Sequence, residues 1–230
     1  MNIAIIPARG GSKRIPRKNI KLFDGLPVIT YAISAAKNSE FIDEVYVSTD
    51  DEEIADVAVK HGAKVPWLRD ANLSDDHSTT LSVMKHEISK LNTVLNEDSN
   101  ICCIYPATPL IRSSYLSKGY ELLINGSWNY VFSAVKVNSP PERYFELDSN
   151  RKVEMLNPEY EILRSQDFTT KYHDAGQFYW GKKYAWAAEI PILSGGSTIL
   201  ELEMDQAIDI DNLEDWYYAE KIFRLNRGDL

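Results

Sequence analysis

The chain has few cysteines, and they do not suggest a disulfide scaffold. The only two among 230 residues are the neighbours Cys102 and Cys103, inside the apolar stretch ICCIY. Adjacent side chains on a strand point to opposite faces of the sheet, so a disulfide between this pair is not expected. Free cysteine is commonly buried in protein cores. We therefore predict two reduced thiols on a core strand.

The chain also lacks a long apolar run. No stretch approaches the ~20 apolar residues that a membrane-spanning helix requires. The first apolar run, Ile3–Ile6, is short, and cations follow it rather than precede it. That order is unlike a secretory signal peptide. We expect a cytoplasmic protein without a membrane partner.

An excess of basic residues is absent as well. Lysine and arginine total 25 against 34 acidic residues, giving a formal net charge of −9. A general nucleic-acid binder usually presents a basic face, so we expect no nucleic-acid partner. The hydrophobic content of 44% is ample for a packed core. The length fits one domain with elaborations, residues 1–230, better than two independent domains.

The cations that are present concentrate after the first predicted strand. Residues 5–19 read IIPARGGSKRIPRKN, in which an apolar strand runs into a loop with two glycines. Its five cations are Arg9, Lys13, Arg14, Arg17 and Lys18. Backbone N–H groups of such a loop meet anionic oxygens, and the cations neutralise them. We predict a polyphosphate cradle that is neither a P-loop nor G-x-G-x-x-G; the alternative is a solvated basic turn.

Short apolar strands alternate with helical segments from Asn2 to about Ser133. The later predicted strands are 44–49, 64–68, 100–105 and 129–135, and the predicted helices start near Val28 and span 51–61, 80–91 and 113–124. Thr49 and Glu52 form a possible capping box, and Gly62 suits a helix end. The alternation predicts an α/β fold with a mainly parallel sheet flanked by helices.

Ligands of such sheets bind at the carboxyl ends of the strands. The cationic loop, Asp50, Arg69 and residues 106–112 each follow a predicted strand, so we expect them at one rim. Residues 140–174 lose the regular pattern and are too few for a core of their own. We interpret them as an insertion, a lid or dimer arm. A strand at 177–180 and a helix at 212–225 follow.

Two aspartates near the end of the chain are candidate metal ligands. Asp209 and Asp211 occur in AIDID, and residues i and i+2 of an extended strand share one face. Two carboxylates beside substrate phosphates suit Mg²⁺. The alternative is a strand end at which Asp211 caps the helix that starts at Asn212.

The motifs, taken in order, resemble the acylneuraminate and Kdo-type cytidylyltransferases, which activate acid sugars as CMP conjugates. They are IIPARGGSKRIPRKN, VSTDDEEIADVAVKHGA, LRDANLSDD, YPATPLIR, DAGQFYW and AIDIDNLEDW. Within that family, RSQD followed by YHDAGQFYW is most similar to the pseudaminic acid branch. The resemblance implies a Rossmann-like sheet of the nucleotide-diphospho-sugar transferase type, CTP and an acid nonulosonic sugar as substrates, and a homodimer.

The resemblance also implies roles for individual residues. The nucleotide-binding positions are Ala8, Arg9, Gly10, Gly11, Ser12, Lys18, Asn19, Arg69, Thr79 and Thr80. The sugar-binding positions are Thr108, Arg164, Gln166, His173, Asp174, Gln177, Phe178 and Tyr179. The catalytic positions are Arg9, Lys13, Lys18 and Asp211, with Asp209 and Asp211 as metal ligands. Arg14 stands where sialic acid enzymes commonly have glycine.

Simpler interpretations stay open for several of these residues. Arg69 is also compatible with a surface ion pair to Asp70 or Asp75. Thr79 and Thr80 suit a helix N-cap. The two prolines of residues 106–110 are typical of a rigid turn, and His173 of a structural hydrogen-bonding residue.

The expected reaction is CMP transfer from CTP to the anomeric hydroxyl of pseudaminic acid, with release of pyrophosphate. The sequence indicates no general base. The nearest alternatives are activation of N-acetylneuraminic or legionaminic acid. A non-catalytic nucleotide sensor and a uridylyltransferase for sugar 1-phosphates are more remote.

Overall fold

The computed structural model describes residues 1–75 and 78–228. Within these residues the strands are β1 (Asn2–Pro7), β2 (Leu22–Phe23), β3 (Leu26–Pro27), β4 (Glu44–Ser48), β5 (Asn100–Ile104), β6 (Tyr130–Lys136), β7 (Phe145–Leu147), β8 (Val153–Met155), β9 (Tyr172–Lys182) and β10 (Ser197–Leu202). The α-helices are α1 (Ile29–Lys37), α2 (Glu52–Lys60), α3 (Thr80–Lys90), α4 (Ser113–Asn125), α5 (Lys183–Ala187) and α6 (Leu213–Arg227).

Six of the strands form one sheet in the order β10-β6-β9-β5-β1-β4. Strand β1 pairs in parallel with β4 and β5, and β10 pairs in parallel with β6. Only β9 runs antiparallel, between β5 and β6. The predicted mainly parallel sheet is therefore present, and the start of β9 lies at the rim where its neighbours end.

Helices cover both faces of this sheet, which explains the unbroken apolar run of β1. Ala4 and Ile6 pack on one face with residues of α1, α2 and α4. Ile3 and Ile5 pack on the other face with residues of α3 and α5. Cys102 and Cys103 are fully buried on opposite faces and are free thiols. Burial raises the pKa of both thiols, so they stay protonated.

Two local predictions around α2 need correction. The cap of α2 is Asp51, whose Oδ1 accepts the Ile54 backbone N–H at 3.0 Å, so the capping box of Thr49 and Glu52 is wrong. The strand expected at 64–68 is reduced to a single bridge between Lys64 and Tyr46. Pro66 has no N–H to donate to a ladder, which ends the pairing there. Gly62 has the predicted left-handed φ of 87°.

The end of the chain differs from the prediction in a way that concerns the site. Residues 207–211 join no strand, so Asp209 and Asp211 are not on an extended strand of the sheet. Helix α6 is capped by Asn212, whose Oδ1 accepts the backbone N–H groups of Glu214 and Asp215 at 2.8 and 3.0 Å. The capping role considered for Asp211 therefore belongs to Asn212.

The segment predicted as an insertion contains the hairpin of β7 and β8, which pair with each other. Its last residues, from Tyr172, already belong to β9, so the strand predicted at 177–180 is longer than expected. In the part of the chain that the structure describes, no helix is both long and apolar enough to cross a membrane.

Candidate nucleotide site

A cavity of about 590 Å³ opens at the carboxyl rim of the sheet. This volume is within the range of small-molecule sites, about 300–1,000 Å³. Its polar lining comes from the loop after β1, from Arg69, Asp75, Ser78, Thr80 and Tyr105, and from the segment before α6. The loop supplies Arg9, Ser12, Lys13, Arg14, Lys18 and Asn19, and the segment before α6 supplies Asp209 and Asp211; Gly176 of β9 also lines the cavity. The predicted convergence at one rim is present.

Of the two glycines of the cationic loop, Gly10 is held by contacts inside the protein. Gly10 donates its N–H to Asp50 Oδ1 at 2.9 Å. A Cβ at Gly10 would lie 2.7 Å from Asp51 Oδ2, so a side chain there would clash. Ala8 is buried and bonded through its N–H to Ser48 O at 2.8 Å, and Gly11 is exposed. Of the small residues predicted to approach the nucleotide, only Ser12 lines the cavity.

Arg17 is the one cation of this loop that does not line the cavity. It has a left-handed φ of 55°. Its guanidinium group binds the carboxylates of Asp51 and Glu53. The hydrogen bond with Asp51 raises the pKa of Arg17 and lowers that of Asp51. Arg17 therefore ties the loop to the start of α2.

Lys18 joins the two ends of the chain at the cavity. Its Nζ donates to the backbone carbonyl of Ile210 at 2.7 Å. Desolvation by burial lowers the pKa of Lys18, and the carboxylates of Asp209 and Asp211 oppose that shift. The adjacent Asn19 is buried, and its Nδ2 donates to Arg9 O at 2.9 Å. Asn19 therefore fixes the backbone next to a cavity cation.

Asp209 and Asp211 both line the cavity, on either side of Ile210. Ile210 is buried in an apolar cluster with Ile15 and Trp216. Desolvation raises the pKa of Asp209, and the neighbouring Asp211 carboxylate adds to the shift. Arg14 Nη2 lies 2.7 Å from Asp211 Oδ1. Arg14 therefore has a partner almost two hundred residues away along the chain.

Arg69 also lines the cavity and is almost completely buried, with 6% exposure. Its backbone N–H donates to Thr49 O at 2.7 Å, and its Nε donates to Ser74 Oγ at 3.2 Å. Burial lowers the pKa of Arg69, whereas the Asp50 carboxylate, 4.0 Å away, raises it. Arg69 is a buried cavity cation rather than a member of a surface ion pair.

Thr79 and Thr80 have different positions. Thr79 caps α3 and accepts the Ser82 N–H at 3.1 Å, as the simpler interpretation requires. Thr80 lines the cavity, with its Oγ1 2.9 Å from the hydroxyl of Tyr105. Tyr105 also lines the cavity, and desolvation raises its pKa. Sequence reasoning missed Tyr105, although it directly follows a core strand.

None of the eight predicted sugar-binding residues lines this cavity. Their neighbours do: Pro106 and Ala107 near Thr108, and Gly176 next to Gln177. Arg164 and Gln166 are exposed in the insertion, where Arg164 Nε lies 3.4 Å from Asp167 Oδ2. Thr108 is buried and donates to Tyr105 O at 2.8 Å, which stabilises the proline-containing turn.

The predicted sugar-binding residues on β9 differ in how deeply they are buried. His173 and Asp174 are exposed, and His173 Nδ1 lies 2.9 Å from the Asp174 carbonyl oxygen. Tyr179 is buried and donates its hydroxyl to Asp174 Oδ2 at 2.7 Å. Phe178 is fully buried, and a Cβ at Gly119 would lie 2.8 Å from its ring. Phe178 therefore packs the core.

Fold and site together define a class of protein. A mostly parallel α/β sheet carries a polar cavity at its carboxyl rim, lined by several cations and by a carboxylate pair, as expected for an enzyme acting on nucleotide phosphates. A family model described as Cytidylyltransferase matches residues 3–225. The chain therefore belongs to the cytidylyltransferase family and is a CTP-dependent nucleotidyltransferase.

Individual relatives agree with this family. The chain is 42% identical over 225 residues to a pseudaminic acid cytidylyltransferase of Campylobacter jejuni, covering 98% of this chain and 97% of the relative. It is 31% identical to a CMP-N,N'-diacetyllegionaminic acid synthase of Legionella pneumophila, with 98% and 97% covered. A solved CMP-2-keto-3-deoxy-manno-octonic acid synthetase complexed with CTP shares the fold, with a TM-score of 0.69, 16% identity, and 100% and 99% coverage.

Proposed function

We propose that this protein transfers CMP from CTP to the anomeric hydroxyl of pseudaminic acid and releases pyrophosphate. The observation that carries the proposal is the 42% identity, over nearly the full length of both chains, to an enzyme named for this reaction. The geometry of the cavity supports it, because cations and carboxylates meet where a nucleoside triphosphate and a divalent cation need opposite charges.

In this proposal three cations of the loop, together with Arg69, bind the triphosphate. Arg9, Lys13, Lys18 and Arg69 all line the cavity. The sugar hydroxyl attacks the α-phosphorus in line with the departing pyrophosphate. The chain accelerates this step by holding the reactants in position and by neutralising the negative charge that grows on the leaving group.

The carboxylate pair fits Mg²⁺. Asp209 and Asp211 face the same cavity as the cations that would hold the phosphates, and Mg²⁺ commonly takes one or two carboxylates together with phosphate oxygens and water. When bound, Mg²⁺ would neutralise phosphate charge. Until then Arg14 and Lys18 balance the charge of the aspartates.

The acid sugar would lie along the rim beyond Gly176, towards the start of β9 and the insertion. Asp174 is the rim carboxylate of this region, fixed by the Gly176 N–H at 2.8 Å and by the Tyr179 hydroxyl. A sugar carboxylate needs a cation, and Arg164 offers bidentate geometry. Its position in the insertion, outside the cavity, means that this part of the site would form as the insertion packs against substrate or a second copy.

A substrate comparison tests the proposed reaction. With CTP and Mg²⁺, we expect pyrophosphate release with pseudaminic acid at a kcat/KM at least about tenfold above that with N-acetylneuraminic or N,N'-diacetyllegionaminic acid, as about 1.4 kcal/mol of transition-state discrimination gives. UTP in place of CTP is the nucleotide control. No release above background with any acid sugar, despite tight CTP binding, would instead support a nucleotide sensor.

Activation of a legionaminic acid is the second candidate, because the Legionella relative covers the same length of chain. Preference for that sugar in the comparison would replace pseudaminic acid but leave the nucleotide chemistry unchanged. A preference for UTP and sugar 1-phosphates would overturn both assignments.

We also propose a homodimer that uses the insertion. Apolar side chains are unusually exposed there, including Phe145, Val153 and Ile162 at 59%, 62% and 87%. Burying them against a second copy would remove exposed apolar surface from water. We expect light scattering to give about twice the 26.2 kDa chain mass, and V153E/I162E to shift the mass towards one chain; a wild-type monomer at working concentration contradicts the proposal.

A further inference from the structure

The segment that carries the two aspartates is held by contacts from distant parts of the chain. Residues 207–211 pair with no strand, so no sheet ladder sets their position. Two side-chain hydrogen bonds from distant parts of the chain reach the backbone at or next to its ends, whereas the Asp211 N–H is bonded locally to Asp215 Oδ2 at 2.9 Å. Lys18 Nζ donates to Ile210 O at 2.7 Å, and Gln177 Nε2 donates to Gln206 O.

Gln177 is well placed to act as a support. It lies on β9, between β5 and β6, and only 1% of its surface is exposed. Its carbonyl oxygen accepts the Tyr105 N–H at 2.9 Å, and its own N–H donates to Ser133 Oγ at 3.3 Å. The backbone of Gln177 is therefore attached to both neighbouring strands, which limits how far its side chain moves.

The orientation of the Gln177 amide is determined by its partner. A backbone carbonyl only accepts hydrogen bonds, so the NH₂ group, not the oxygen, must face Gln206. Gln177 Oε1 is buried without a hydrogen-bond partner among the described residues. An unpaired buried acceptor is unfavourable. The side chain thus keeps the contact with Gln206 although its own oxygen is left unsatisfied.

The part of β9 that includes Gln177 lies directly beside the Asp209 carboxylate. Gly176, next to Gln177, has a left-handed φ of 62°. A Cβ built there would lie 3.8 Å from Asp209 Cγ, so the Asp209 carboxylate lies against the bend of β9. A shift of Gln206 relative to β9 would therefore change the position of Asp209 in the cavity.

From these contacts we infer that Gln177 is a positioning residue that holds the Gln206–Asp211 segment in register with the phosphate-binding loop. This role differs from the sugar contact that the resemblance implies for Gln177. The inference rests on the proposed function, because it takes Asp209 and Asp211 to serve the reaction. Lys18 supports the other end, but it also lines the cavity, so Gln177 gives the cleaner test.

The test replaces Gln177 with leucine, which keeps most of the volume and removes the donor. Hydrogen–deuterium exchange of the full-length protein, followed by mass spectrometry, should show amides of residues 206–212 exchanging about fivefold to tenfold faster, as loss of one buried hydrogen bond implies. In turnover assays kcat should fall about tenfold or more, as for loss of a residue that orients a metal ligand, while KM for both substrates changes little.

Thr30→Val is the matched control. Thr30 is also almost fully buried, and its Oγ1 donates to Pro27 O at 2.7 Å, away from the cavity. It should leave both exchange at 206–212 and kcat near wild type. Unchanged exchange in Gln177→Leu, or an increase that Thr30→Val reproduces, overturns the inference. So does faster exchange with normal kcat.

The kinetic pattern separates this role from sugar binding. A raised KM for the sugar with normal kcat in Gln177→Leu would return the residue to the sugar site and overturn the positioning role. Wild-type protein without turnover would refute the proposed function instead, and the exchange comparison would still decide whether Gln177 holds the segment.

Discussion

Asp211→Asn is expected to lower turnover with CTP and Mg²⁺ by about a hundredfold to a thousandfold and to raise the Mg²⁺ concentration needed for half-maximal rate. The substitution keeps the shape of the side chain and removes one of the two carboxylates that line the cavity. Metal-assisted stabilisation of phosphoryl charge is worth several kcal/mol, which corresponds to this range of rates. Initial rates across a Mg²⁺ titration measure both effects.

The control for this variant is Asp205→Asn. Asp205 is exposed in the turn before residues 207–211 and does not line the cavity. Removing its carboxylate should therefore leave the Mg²⁺ titration unchanged. A titration curve for Asp211→Asn that coincides with the wild-type curve would place the metal elsewhere.

Asp211 also forms an ion pair, and losing that pair could by itself lower the turnover of Asp211→Asn. Its partner Arg14 is largely solvent-exposed, with a side-chain exposure of 67%. Exposed ion pairs contribute about 0–1 kcal/mol, or up to about fivefold in an equilibrium. Arg14→Ala should therefore have a much smaller effect than Asp211→Asn. Equal effects would mean that the ion pair, not the carboxylate as a ligand, explains the loss.

Lys18→Met is the second substitution with a large expected effect. Methionine retains much of the apolar stem but removes the ammonium group, which lies in the cavity and donates to Ile210 O. Loss of one preorganised charge at a phosphoryl transfer site costs about a hundredfold to a thousandfold in kcat. We also expect weaker CTP binding, because the triphosphate loses a cation. Steady-state kinetics and calorimetric titration with CTP check the two effects.

Lys21→Met is the matched control, since Lys21 lies three residues further along. Its Nζ lies 5.4 Å from the ring centroid of Trp216, and it does not line the cavity. It should therefore bind CTP as wild type does. If Lys18→Met bound and turned over CTP normally, Lys18 would not neutralise charge on the triphosphate.

Local sequence patterns were sufficient for most of the architecture. The apolar run of β1 and the periodic stripes of α1 to α4 were recognisable because each element buries a regular set of its own side chains. The edge strand β10 was missed, since much of STILEL is only half-buried and its pattern is weak. The direction of β9 depends on how distant strands pair, so no pattern within β9 indicated that it runs antiparallel.

For the candidate site too, the sequence indicated some features and not others. Glycine and charge in the loop after β1, and the acidic pair in AIDID, indicated both halves of a phosphate and metal site from sequence. Their partners did not follow from sequence, because each contact joins residues far apart along the chain. Arg14 meets Asp211, and Gln177 meets Gln206, only when the sheet has formed.

The sequence by itself determined most elements of this protein, the cationic loop after β1 and the family to which the chain belongs, because short-range periodicity and motif order carry that information. Only the tertiary structure decided which side chains face the cavity. It directed Arg17 away to Asp51, buried Phe178 in the core and assigned Lys18 to the Ile210 carbonyl. Which side chains face the cavity, and which partners they contact, depends on the packing of distant elements, which no local pattern specifies.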